Sequence, residues 1–289
     1  MSFTKIKTIL LVYFIGISPL FVKAQGMEDA KWWMGAKAGI NFTYPHVSTS
    51  YSVMESLNQS TTDDLEKEYE TIFKNIGPSL GITLTYSITP SISISAQPGY
   101  LSYYYNFSNN HIWSDSIQNK YLLNNSLRTK LHYIELPLLF KYEYSFQKLQ
   151  PYIQLGAYYS FLLNGKNILK SDEKLRTPVE EFDLHSRTED FNVNNQYISS
   201  LYGLIGGVGL SIDVNFFRIG LDCNYRYGLN NITDRKNRLE QQTMINSSYE
   251  VADDIKLQNL EFTIHCSTPL DYLIHTPGMS GKAGKVRRR

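Results

Sequence analysis

Cysteine is nearly absent from this chain, with 2 in 289 residues. That excludes a disulfide-stapled scaffold and a multi-cysteine zinc site. An excess of one charge is missing too: 28 Lys and Arg stand against 27 Asp and Glu, a net of +1. No strongly basic surface is therefore on offer to nucleic acid. Charged residues make up only 19% and hydrophobic ones 42%, which argues against a disordered chain. After the N-terminal leader no segment approaches about 18 consecutive apolar residues, so a helical membrane span is excluded. Aromatics, by contrast, are plentiful, with Tyr 22, Phe 14 and Trp 3. Beside so much Ser, Asn and Thr they point to strands, with rings placed where water meets something apolar.

The leader is read first, because it is removed from the fold. Lys5 and Lys7 precede an apolar run from Ile9 to Phe21, followed by Val22-Lys23-Ala24. A run of about 13 residues is short of the roughly 20 that a spanning helix needs. The pattern is that of a secretory signal peptide cut after Ala24. No Cys follows the run, so a lipoprotein anchor is not expected. The expected organisation is a leader at 1–24, a barrel domain at 25–267, and a basic, disordered periplasmic tail at 268–289. That tail carries Lys282, Lys285 and three consecutive arginines.

Within the domain, period-two alternation recurs, the mark of strands with two chemically different faces. Phe217, Ile219, Leu221, Cys223, Tyr225 and Tyr227 oppose Arg218, Gly220, Asp222, Asn224, Arg226 and Gly228. Residues 76–88 and 151–163 alternate in the same way. These runs are about twice the usual globular strand and match the roughly 9–11 residues of a tilted membrane-spanning strand. Further segments at 33–42, 91–105, 128–144, 198–213, 216–228 and 255–267 bring the expected count to eight. The connections alternate long and short: 43–75, 106–127, 164–197 and 229–254 are long, while Thr89-Pro90, Gln147-Lys148 and Val214-Asn215 mark tight ones. The expected fold is all-β: an eight-stranded antiparallel up-and-down transmembrane β-barrel with long outer loops and short periplasmic turns.

A soluble eight-stranded barrel would point the apolar face inward. The distribution of charge decides between the two. Lys37, Glu135, Lys141, Glu143, Arg218, Asp222, Arg226 and Glu261 fall on one face of their strands, and the opposite face is almost uncharged. A soluble barrel would carry more charge outside, so these eight are expected in the lumen as structural ion pairs. Aromatics also cluster near the strand ends. Trp32, Trp33, Tyr142, Tyr144, Phe146, Tyr152, Phe216 and Phe217 lie at the short-turn rim. Phe42, Tyr44, Tyr103, Tyr104, Tyr105, Phe107, Phe161, Tyr225 and Tyr227 lie at the other. Two aromatic girdles are expected of a barrel in lipid.

Several segments also resemble a family. Residues 133–142 (Tyr-Ile-Glu-Leu-Pro-Leu-Leu-Phe-Lys-Tyr) and 151–159 (Pro-Tyr-Ile-Gln-Leu-Gly-Ala-Tyr-Tyr) are similar to strands of the PorT-like outer-membrane β-barrel proteins of Bacteroidota. The glycine-rich 203–212, the stretch Tyr225 to Ile232 and the opening strand Gly35 to Phe42 fit as well. The resemblance covers roughly 32–267. It implies the barrel fold and an outer-membrane location, without a shared activity; a few members are similar to parts of a secretion and gliding apparatus. Such barrels usually end with their last strand, whereas this chain runs on to Arg289.

Candidate chemistry is sparse. His46, His111 and His185 fall in long connections and His132 near the outer end of the fourth strand. A His at that rim with a Ser or carboxylate is the makings of a hydrolase, but neither Gly-x-Ser-x-Gly nor His-Glu-x-x-His occurs. The glycines at 203, 206, 207 and 209 continue a strand pattern rather than opening a helix, so they read as room for luminal side chains such as Tyr158 rather than as a phosphate loop. Cys223 and Cys266 are too far apart along the last two strands to be bridged. Met54 to Glu70 suggests a short amphipathic helix in the first long connection. No catalytic residue, metal site or cofactor is expected. The expected function is structural or interactive: long surface loops for binding or assembly, with secretion-apparatus membership one form of it. The alternatives are a rim-located hydrolase and a narrow pore. The expected partners are outer-membrane lipid and an unidentified protein or surface ligand at the loops, with no nucleic acid.

Overall fold

The computed structural model describes residues 30–51, 67–114, 119–144, 149–214, 216–237 and 252–270. The leader at 1–24, the turn at Gln147-Lys148 and almost all of the basic tail lie outside them. The strands are β1 (Trp32–Thr49), β2 (Glu68–Tyr69), β3 (Ile76–Thr89), β4 (Ile92–Ala96), β5 (Gly99–Ser114), β6 (Lys120–Glu143), β7 (Leu149–Arg176), β8 (Glu181–Asn192), β9 (Ser200–Val214), β10 (Phe217–Gly228) and β11 (Asp254–Pro269). All pairings among them are antiparallel.

Eight walls close into a ring: β1, β3, the β4–β5 pair, β6, β7, β9, β10 and β11, with β11 returning to β1. The seam is long, running from Trp33 opposite Pro269 to Thr49 opposite Asp254. β4 and β5 form one wall. Both pair with β3 on one side and β6 on the other, and the ladder is interrupted only at Gln97 and Pro98. Proline has no N–H to offer a ladder, yet its carbonyl still accepts from Ile82 N–H at 3.0 Å.

Alternation in burial follows alternation in sequence. On β6 the outward series Ile134, Leu136, Leu138, Phe140 and Tyr142 is exposed, while Tyr133, Glu135, Leu139 and Lys141 between them are buried. On β7 Ile153 is 60% and Leu155 67% exposed. A soluble protein keeps its contiguous apolar patches to a few hundred Å², and here every wall of the ring offers such side chains outward. The apolar belt is a solvent match for lipid, and the charged residues lie inside, beside a buried apolar and aromatic cluster.

Two expectations change in form. The second long connection, 106–127, is not an irregular loop: β5 and β6 keep pairing to Ser114 opposite Lys120. Likewise β7 continues to Arg176 and turns back as β8. Above the ring, β2, β5, β6, β7 and β8 make a sheet that leaves the barrel wall and projects from the long-loop rim. In the first connection, where a helix was expected, the described residues hold the short β2 and a 3-10 turn at Ile72–Lys74; residues 52–66 lie outside the described set.

Candidate functional site: a filled lumen and a projecting sheet

The lumen is built in layers, each set by which residues of neighbouring strands share a register and point inward. At the short-turn rim, Arg218 Nε donates to Asp213 at 2.7 Å across the β9–β10 turn and its Nη1 reaches Glu143 at 3.2 Å. Its guanidinium also stacks over the Trp33 ring at 4.2 Å. One layer up, Asp222 is the hub. It accepts from the Tyr152 hydroxyl, from Gln154 at 3.3 Å and from Thr263 at 3.3 Å, and His265 Nδ1 lies 3.0 Å away. Lys141 rests its ammonium on the face of Tyr152 at 4.8 Å.

The third layer holds the strongest pairing. Arg226 donates to Glu261 at 2.6 Å and to Glu135. Glu261 also accepts from Ser79 at 2.6 Å and lies 3.9 Å from Lys37, whose ammonium donates to Gln97 at 3.1 Å. Glu135 accepts from Tyr103 at 3.0 Å and Ser160 at 3.1 Å. Arg226, Glu135 and Glu261 are each at most 1% exposed. An unpaired charge there would be costly, and mutual pairing with full hydrogen bonding offsets that cost. Above it sits an apolar and aromatic plug of Leu101, Leu131, Tyr133, Tyr158, Leu201, Ile205 and Leu257, capped by the Tyr105–Tyr197 hydroxyl pair at 2.8 Å.

All eight charges picked out in the sequence face the ring interior, Arg218 and Glu143 half-buried at the rim and the other six buried. Arg226, Lys37, Glu135 and Glu261 are brought into one cluster, and Arg218 meets Glu143. Lys141 differs from expectation, since its near partner is an aromatic ring rather than a carboxylate. Asp213, His265, Gln97 and Tyr152 were missed as luminal residues, although His265 sits at the same parity on β11 as Glu261. The girdle assignment also needs correction. Trp33, Tyr103, Tyr105, Phe107 and Tyr152 are buried inside, whereas Trp32, Tyr142, Tyr144, Phe161 and Tyr225 are exposed outward.

The glycines of β9 make room for this filling. A Cβ on Gly209 would sit 2.3 Å from Tyr152 Cζ, and one on Gly203 would sit 2.7 Å from Tyr158 Cε1. Cys223 and Cys266 are free, and the register places Ile219 rather than Cys223 opposite Cys266. Among the described residues no group of His, Cys, Asp and Glu is arranged to hold a metal ion. His132 does meet a serine: its Nδ1 lies 2.8 Å from Ser102 Oγ and 2.6 Å from the Tyr100 hydroxyl. Ser102, however, is fully buried beneath these partners, so its hydroxyl is closed to a substrate.

A ring of eight walls, apolar outside and ion-paired within, is what a family comparison then meets. The model of the outer membrane protein beta-barrel domain matches residues 23–234. The chain belongs to that family. Among curated proteins none matches it. Solved structures similar to it include the outer membrane protein OprG from Pseudomonas aeruginosa, at 13% identity over 83% of this chain and 95% of that one, with a TM-score of 0.41. Neisserial surface protein A is 12% identical over 82% and 96%, with a TM-score of 0.33. The attachment invasion locus protein Ail of Yersinia pestis, solved with the heparin analogue sucrose octasulfate, is 11% identical over 82% and 99%, with a TM-score of 0.30. The family membership makes this chain an outer-membrane β-barrel with surface loops.

Proposed function

We propose that the protein is a non-enzymatic surface-binding barrel of the outer membrane, exported by its first 24 residues, with the long-loop rim outside the cell and the projecting sheet as its binding element. The observation that carries this is the length of β7, 28 residues, against the roughly 9–11 that cross a bilayer. Nearly half of that strand, from 164 to 176, stands clear of the apolar belt. β8 is exposed along nearly its whole length and is the last strand of the sheet, with β7 its one neighbour among the described residues. A long strand with a free edge is a template onto which an extended segment of another protein can pair. Ion pairs such as Lys166–Asp190 at 2.6 Å and Arg176–Glu181 at 3.0 Å tie β7 to β8, so the edge is presented by a stiffened ladder. The finer reading, a PorT-like barrel of Bacteroidota serving a binding or secretion assembly, is supported by the sequence resemblance at residues 133–142 and 151–159.

An epitope inserted beside Asn119 is expected to be labelled by antibody on intact cells, and one appended after Arg289 only after permeabilisation. The reverse pattern would put the projecting sheet in the periplasm and remove the basis of surface binding.

A further inference from the structure

The outward face of the barrel changes character abruptly where the apolar belt ends. On β6 the outward series runs Tyr142, Phe140, Leu138, Leu136, Ile134, and then His132, Lys130, Arg128. On β7 it runs Ile153, Leu155, Ala157, Tyr159, Phe161, Leu163, and after a bulge Lys166, Ile168, Lys170. The register sets Lys130 directly opposite Lys166, and Arg128 opposite Ile168. Arg128 lies two residues and Lys170 four residues further out on the same face, so the four cations form one column just above the belt.

Like charges directly opposite one another across a ladder are destabilising. Of the nearby carboxylates only one reaches a member of the pair, and Lys130 is left without one. Asp190 engages Lys166 from the β8 side at 2.6 Å, and Glu70 accepts from Asn106 at 2.7 Å. Among the described residues Arg128, Lys130 and Lys170 have no ion pair. Instead, Arg128 and Lys130 both lie over the ring of Tyr104, at 5.7 and 5.8 Å. The same ring meets His132 edge-on at 6.0 Å. Tyr104 therefore holds two cations at the height where the lipid-facing surface stops.

From this arrangement we infer that Arg128, Lys130, Lys166 and Lys170 form a site for the phosphate groups of an outer-leaflet glycolipid, whose acyl chains lie along Ile134, Leu136 and Phe161 below. A phosphate between Lys130 and Lys166 relieves their mutual repulsion, and the guanidinium of Arg128 offers it a second, directional set of donors. Juxtamembrane cations gain in this way from anionic lipid near the surface. The inference shares the orientation proposed above, but its test in detergent does not depend on it.

The full chain, purified folded from outer membranes, would be titrated with bis-phosphorylated lipid A, with dephosphorylated lipid A, with phosphatidylglycerol and with inorganic phosphate, and bound lipid read by native mass spectrometry. Phosphorylated lipid A is expected to bind best, more weakly at high salt. The double variant K130Q/K166Q is expected to lose affinity by roughly 30-fold, while K74Q, on an exposed turn elsewhere, binds as wild type. Equal binding of the dephosphorylated lipid, or unchanged binding by K130Q/K166Q, would overturn the site. Equal binding of phosphatidylglycerol would overturn the glycolipid assignment, and displacement of lipid A by millimolar inorganic phosphate would mark a free-anion site instead. Should the double variant fail to fold, the wild-type comparison of the two lipid A forms at low and high salt decides alone.

Discussion

Arg226 holds two glutamates from two different walls, β6 and β11, with a single guanidinium. Its replacement by Leu leaves Glu135 and Glu261 buried without their shared cation, with Lys37 the remaining one beside Glu261. Breaking a buried pair from one side costs about 3–5 kcal/mol. Arg226→Leu is therefore expected to lower the urea midpoint of the detergent-folded barrel, whereas Lys74→Gln should not; an unchanged midpoint would mean that water solvates the cluster. The charges were legible in the sequence because each interrupts an apolar alternation at a fixed parity, as Asp222 and Arg226 do on β10. Tyr103 and Tyr105 were not. Around them both faces of the strand are rich in rings, from Tyr100 to Phe107, so alternation carries no contrast and proximity to a strand end was misleading. His265 escaped notice for a different reason, since its partner Asp222 is distant in sequence and adjacent only through the β10–β11 register.

The walls of the ring were legible as elements, each marked by an apolar face that must meet lipid. Their extensions were not. Above the belt, residues 106–114, 120–128 and 181–192 have water on one or both sides, and the alternation that identifies a half-buried strand fades. Only the ladder itself, with Asn109 opposite Asn125 and Asp172 opposite Ser186, reveals them as strand. The β7–β8 hairpin is accordingly an appendage of the barrel rather than part of its wall. Lys170 and Thr188 face one another, so deleting 171–187 and joining the ends through a Gly-containing turn preserves the register below. The shortened protein is expected to keep the heat-dependent gel shift of a folded barrel while losing capture of surface partners by crosslinking. Loss of the gel shift would show that the hairpin is needed for the ring to form.

Taken as a whole, the molecule reverses the usual arrangement of a soluble domain, with charges buried inside its ring and a belt of apolar side chains outside. An eight-walled ring leaves an interior only wide enough for side chains, and here three polar layers and an aromatic plug occupy it in series. The narrow-pore alternative thus meets a stack of obstacles rather than one gate. No steady conductance is expected from the purified protein in planar bilayers; a reproducible channel, open without voltage or ligand, would show that the Arg226 cluster and the Tyr105–Tyr197 pair move aside.

The seam between β1 and β11 has a consequence for how such a chain is made. The first strand pairs early with β3 but finds its second neighbour only in the last strand, so position 33 waits for position 269. Until then every partial sheet carries two open edges, and the loop to be closed spans almost the whole domain. Closure of that kind is slow, because its entropy is lost before any contact repays it. Transit to the membrane therefore exposes an unclosed, aggregation-prone ribbon of alternating leucines and charges. Such a ribbon is expected to aggregate unless it is held until the final strand arrives to close the seam.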